Sequence, residues 1–480
     1  MTFKIIRNYL EKYKKEDIID RCYRELEIQG EENFNAIWFI FLIMKWTYLY
    51  AEQKYPYRKL EEKDFYKLYG DIAKLNDNHV LSFMEENRLD RAMHVMHTQQ
   101  FYLQKSLCKE KFATQIKLYT SIEGEYNISK SFFEKTGLNV TDLMFCFQVV
   151  WITINATKVD NTSKIKYTGF ITQDIINVIS EFKDVNTANN FIKLLTLDPD
   201  NAIETINKVN SGIKKEELQS IEKTFFTLFP FQVYKKNNIK IIHGSVFNYT
   251  ANHFIYDYMK INDTAFTTEF GARFEKYIEC GIRELDMPFR TENELKKVLP
   301  KHSKVVDFII DNILIECKAI ELQSITNANP SDDNIYNSTK DSILKAYNKQ
   351  MLGVIKGLNI NTECFGIILT YKQLYWSRFT ELYDIGKKDI DDNLKSNCLP
   401  PENVFIIDYY VWDKIVQIVK DKKATLVDIL KKAKLNNSIS TNVKQLFEAH
   451  LDEYKLEQFN LTYLSNELDL LDFYWTKGKI

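Results

Sequence analysis

A chain of 480 residues that is 45% hydrophobic and 14% aromatic is too rich in core-forming side chains for a disordered protein, and long enough for two or three packed domains. A net charge of −2 excludes a globally basic nucleic-acid binder, so any grip on phosphates must come from a local surface. The seven cysteines (Cys22, Cys108, Cys146, Cys280, Cys317, Cys364, Cys398) are scattered and form no C-x-x-C pair, which reads as reduced thiols rather than a zinc or redox centre.

In chain order, the opening MTFKIIRNYLEKYKKED is charged throughout and has no signal-peptide pattern. The apolar stretches Ala36–Met44 and Leu143–Ile154 are shorter than the roughly 20 residues a membrane span needs. Both are expected as buried helices of a soluble, cytoplasmic protein with no membrane partner. Residues 1–260 are expected as a mainly α-helical region, with apolar residues three and four apart between polar linkers. Near its end, PFQVYKKNNIKIIHGSVF reads as two short strands around Lys236–Asn238.

Residues 261–420 change character. The pattern predicts a helix over 264–285, a possible strand, and a hairpin over 304–320. A polar loop over 324–338 and a helix over 339–358 follow, then strands at 364–371 and 404–409 and a helix over 411–420. This is an α/β succession, and residues 421–480 read as a helical tail.

Chemistry concentrates in VVDFIIDNILIECKAI. Two β-branched runs flank Asp311-Asn312, a pair that tolerates the left-handed backbone of a two-residue turn. With those residues as the turn, Ile310 pairs with Ile313 and Asp307 falls opposite Glu316. Lys318 shares the Glu316 face, since side chains alternate along a strand. The other face (Val306, Phe308, Ile310, Ile313, Ile315, Cys317) is apolar and is expected as the core face, leaving the acids on a non-core face. Directly opposed Cβ atoms lie about 4.5–5.5 Å apart, close enough for two carboxylates to share one cation. Two such oxygens suit a hard metal such as Mg²⁺, and a neighbouring amine can orient a water or stabilise developing negative charge.

Asp307 followed nine residues later by Glu316-Cys317-Lys318 resembles the PD-(D/E)xK nuclease superfamily, over roughly residues 264–420. Val306 stands where many members have proline. The resemblance implies a restriction-endonuclease-like mixed sheet flanked by helices and Mg²⁺-dependent hydrolysis of phosphodiesters, with Mn²⁺ able to substitute. It assigns metal ligation to Asp307 and Glu316 and gives Lys318 the orienting or stabilising role.

Members often carry an acid in a preceding helix near G-x-x-F-E, matched here by Gly271-Ala272-Arg273-Phe274-Glu275. Phe270, Phe274, Tyr277, Ile278 and Leu285 form that helix's buried stripe, with Glu275 at its border and Glu269 further out. In the helix after the hairpin, Leu344, Tyr347, Met351, Ile355 and Leu358 form the stripe. Gln350 flanks it on one side, where such nucleases often carry glutamine, and Lys345, Lys349 and Lys356 line the other. Gln350 is therefore assigned to the metal site, and Lys345 and Lys349 to solvent or to distant phosphates.

His94-x-x-His97 has metal-ligand spacing but lacks an evident third ligand, and no phosphate-loop motif of an ATP-driven motor occurs. The expected protein is a DNA-directed nuclease of bacterial restriction or antiphage defence. Its helical region would recognise substrate, bind a partner protein or restrain the enzyme, and self-association is expected. An RNA-cleaving or repair nuclease is the alternative within enzymology. A catalytically inactive nucleic-acid-binding or scaffold protein is the alternative outside it.

Overall fold

The computed structural model describes residues 2–28, 36–86, 88–103, 107–156, 169–209, 216–221, 223–234, 238–376, 379–439, 447–456 and 459–476. They form a mixed α/β protein of two compact units. One comprises 1–121, 127–264 and 467–480; the other comprises 122–126 and 265–466.

The first unit is mostly helical, and its two most apolar helices, Ile37–Tyr50 and Val140–Ala156, pack as core elements. Every residue from Phe39 to Tyr48 is buried, so this helix has no solvent face to make polar. Among the described residues no helix is long and apolar enough to cross a membrane. Local signals set the ends of other helices. The Asn127 side chain accepts from the Lys130 N–H at 2.9 Å, and Gly137 ends the same helix with a left-handed φ of 68°.

The hairpin read near residue 236 is present as β3 (Phe231–Tyr234) and β4 (Asn238–Ile241), although residues 235–237 of its turn lie outside the described residues. It belongs to a four-stranded sheet that the helical reading did not contain. Its other strands are β1 (Phe170–Ile171) and β2 (Thr196–Leu197), in the order β1-β4-β3-β2. Strands of two residues carry no usable alternation and exist only through their partners.

The second unit is built on a five-stranded sheet: β5 (Arg290–Thr291), β6 (Phe308–Ile310), β7 (Ile313–Lys318), β8 (Phe365–Thr370) and β9 (Val404–Asp408). β5 to β7 are antiparallel neighbours, whereas β7, β8 and β9 run parallel. Helix Phe266–Glu284 contacts β7 and packs against helix Tyr409–Lys420. Gly281 permits that approach, since a Cβ there would lie 2.6 Å from the Trp412 indole nitrogen. Helical residues 343–357 cover the opposite face.

Two expectations need correction. Residues 324–338 are not a loop but contain helices Ser324–Ala328 and Asp332–Thr339, the second capped by Ser331 accepting from the Asn334 N–H at 3.3 Å. Their Asn, Asp and Ser residues are capping residues as much as loop residues. Nor does the hairpin have one core face. Ile309 and Leu314, on the side of Glu316, are buried in a cluster with Leu344, Met351, Ile355, Ile368 and Ile406. The sheet has a core on both sides, and the polar residues occupy the end of β7.

Candidate active site

The hairpin register follows from its turn. Asp311 takes a φ of 48°, and Ile310 pairs with Ile313, Ile309 with Leu314 and Phe308 with Ile315. Asp307 immediately precedes β6, one step before Phe308, and therefore stands across from Glu316. Its Oδ2 accepts from the Cys317 N–H at 2.7 Å, which fixes the carboxylate against the partner strand. Burial raises the Asp307 pKa, and the Cys317 N–H and Lys318 oppose that rise.

Glu316 is 1% exposed. Its Oε1 accepts from Gln350 Nε2 at 2.6 Å and from the Lys318 ammonium. Its Oε2 is buried without a hydrogen-bond partner among the described residues. Burial first, and Asp307 second, push the Glu316 carboxyl up to about 7.

Gln350 is brought to the site as the sequence suggested. Its Nε2 also donates to the Val305 carbonyl at 2.8 Å, and this pair of acceptors fixes the amide orientation. Its Oε1 is then buried without a donor. The backbone carrying it is a π-helical stretch, Ala346–Met351, between the α-helical segments Ile343–Lys345 and Leu352–Gly357. π-Turns inside helices recur at functional sites because they reset the facing of the residues they hold.

Glu275, half-buried, is pushed up to about 7 by burial and then by Asp307 and Glu292. It therefore shares the electrostatic field of the hairpin acids. Glu269 is not further out, as the helical wheel implied. It is 8% exposed, pairs with Arg273 at 2.9 Å and accepts from the Tyr126 N–H at 3.2 Å. Lys349 is exposed and Lys345 intermediate, on a different side of the helix from the Gln350 amide that reaches Glu316. His94 is buried within the first unit.

Sequence reasoning missed Glu292, which acts on both Glu275 and Asp307. The signal was available. Thr291 and Glu294 form a reciprocal capping box that starts helix Glu292–Val298 and places Glu292 at its first position.

The donor set fits a hard divalent cation. Asp307 and Glu316 provide carboxylates, and two buried acceptor oxygens, Glu316 Oε2 and Gln350 Oε1, have no donor to satisfy them. Among the described residues no three His, Cys, Asp or Glu side chains converge as a metal-holding group. Mg²⁺ does not require three, since it retains several waters and takes further oxygens from substrate phosphates. A search of protein-family models, curated proteins and solved structures returned no match to this chain.

Proposed function

We propose that this chain is a Mg²⁺-dependent nuclease of the PD-(D/E)xK type, hydrolysing phosphodiesters of DNA ahead of RNA. The observation that carries the reading is Glu316 Oε2. A carboxylate oxygen sealed from water, opposite Asp307 and without a donor, is destabilising unless a cation completes it. The element order also supports it: a helix, three antiparallel strands, a helix and a parallel strand match what the resemblance implies for a restriction-endonuclease-like core.

Asp307 and Glu316 would hold the ion. When bound, it supplies Lewis-acid polarisation of the phosphoryl group and acidifies a coordinated water. Gln350 holds Glu316 Oε1 in place, so that Oε2 is directed elsewhere. Lys318, 20% exposed at its side chain, is the group that reaches solvent from this cluster and can stabilise negative charge on the attacked phosphate. Glu275, with a pKa near 7, can accept the proton that leaves the attacking water. Restriction or antiphage defence is the biological setting we infer, by resemblance of motif and arrangement. The mainly helical first unit would recognise substrate, a partner protein or a second copy of the chain.

The test is cleavage of plasmid DNA, single-stranded DNA and RNA with Mg²⁺, Mn²⁺ or EDTA, beside Lys318→Ala. Metal-dependent cutting that disappears in the variant is expected. Indifference of all three substrates, together with no metal binding, would leave the scaffold alternative standing.

A further inference from the structure

Because β7, β8 and β9 run parallel, their C-terminal ends open on one edge of the sheet, where ligands of parallel sheets bind. The register sets Lys318, Thr370 and Asp408 in one row across that edge. Beyond β8 the alternation continues. Tyr371 turns to one face, its ring 4.7 Å from Phe270 and stacked 5.4 Å from Tyr409. Leu374 and Trp376 join the cluster on the other face, with Ile368 and Leu314. Lys372, between Thr370 and Leu374, therefore extends on the side of Glu316 and Lys318.

Lys372 is 7% exposed, and its Nζ lies 2.5 Å from Glu321 Oε1, on a carboxylate 16% exposed. Glu321 stands three residues past Lys318, so this ion pair caps the same strand ends. Burying an ammonium costs several kcal/mol unless an anion compensates it. The neighbours on this face, Leu374 and Trp376, are apolar, so packing alone does not demand a charge here.

We infer that Lys372 binds the phosphate next to the scissile one, and that Glu321 keeps its place in the free protein. The inference rests on the nuclease reading and names the second phosphate contact of that site. A phosphodiester arriving at the strand ends displaces one anion with another and leaves no buried cation unpaired. The two partners then have opposite effects. Removing the lysine loses a phosphate contact, whereas removing the competing carboxylate frees one.

The experiment measures binding of a duplex DNA, its single strand and the matching RNA by fluorescence anisotropy in Mg²⁺, between 50 and 200 mM salt. Every variant is built on Lys318→Ala, so that binding is read without cutting. Lys372→Met is expected to weaken binding several-fold and to reduce the salt slope by about 0.9 on duplex or about 0.7 on a single strand. Lys372→Arg should restore the slope, and Glu321→Gln should tighten binding several-fold. In the cutting-competent background, Lys372→Met should raise KM more than it lowers kcat. A purely structural ion pair would show lower melting temperatures for both variants with unchanged affinity and slope, and that result overturns the inference. If Lys372→Met does not fold, an unchanged affinity in Glu321→Gln overturns it alone. Wild-type protein that cuts while these variants bind as before sinks only this inference. Wild-type protein that neither binds nor cuts sinks the nuclease reading and this one together.

Discussion

Two buried carboxylates in the second unit, Asp413 and Glu316, invite comparison. Each is 1% exposed, and burial pushes each up to about 7. Asp413 sits where helix Tyr409–Lys420 meets helix Phe266–Glu284, and its environment is closed. Tyr277 donates to Oδ2 at 2.7 Å and Tyr463 to Oδ1 at 2.6 Å. Glu316 gathers both of its donors, Gln350 and Lys318, on one oxygen and leaves the other empty. Burial and a raised pKa are common to both, so neither identifies a site. The unmet valence does, because a native interior seldom leaves a charged acceptor unsatisfied without a use for it.

The largest effect expected from this contrast is on cutting by Glu316→Gln, an isosteric change suited to a side chain sealed inside the sheet. It should lower the rate by on the order of 10²–10³-fold or more, while the melting temperature holds or rises. A variant that still cuts at the wild-type rate would break the comparison. Next in size is Gln350→Leu, which releases Glu316 Oε1 and orphans the Val305 carbonyl. Metal affinity or cutting should fall by roughly 10–100-fold, read by calorimetry and by rate.

The third effect is pH dependence. A carboxyl whose pKa is higher in the folded chain keeps its proton longer there. Between the ordinary 4.5 and about 7, Glu316 therefore makes the metal-free fold less stable as pH rises. A bound cation must displace that proton, so Mg²⁺ affinity should climb about tenfold per pH unit up to about 7. Calorimetry in buffers of different ionisation heat would detect the released proton in wild-type protein and its absence in Glu316→Gln. Smallest is Asp413→Asn, which disturbs a satisfied pair of hydrogen bonds. It should cost about 1–3 kcal/mol of stability and leave cutting unchanged. Loss of cutting without loss of stability would mean that the closed acid also serves chemistry.

Legibility in the sequence followed the range of the interactions. The hairpin register could be read because Asp311-Asn312 sits between two β-branched runs, and period-two alternation then fixes every pair. Gln350 could be assigned from its position beside an apolar stripe, but the π-helical turn that holds it leaves no mark in a 3.6-residue pattern. The sealing of Glu316 was not legible. It depends on Ile309, Leu314 and Ile368 joining Met351 and Ile355 across the sheet, contacts between segments far apart in the chain. β1 and β2 failed for the same reason, being strands only by virtue of their neighbours. Glu292 was the exception, a local signal present in the capping box and passed over.

The wide turn at Ala346–Met351 also has an evolutionary side. A π-turn amounts to an α-helix with one residue inserted, and each residue of an α-helix turns the chain by about 100°. Loss of a single codon within this stretch would rewind the helix and carry the Gln350 amide away from Glu316, even if every site residue were kept. A lineage could thus abandon the activity with the Asp, Glu and Lys of its motif intact. Relatives of this chain should be compared by the length of that stretch as well as by the motif.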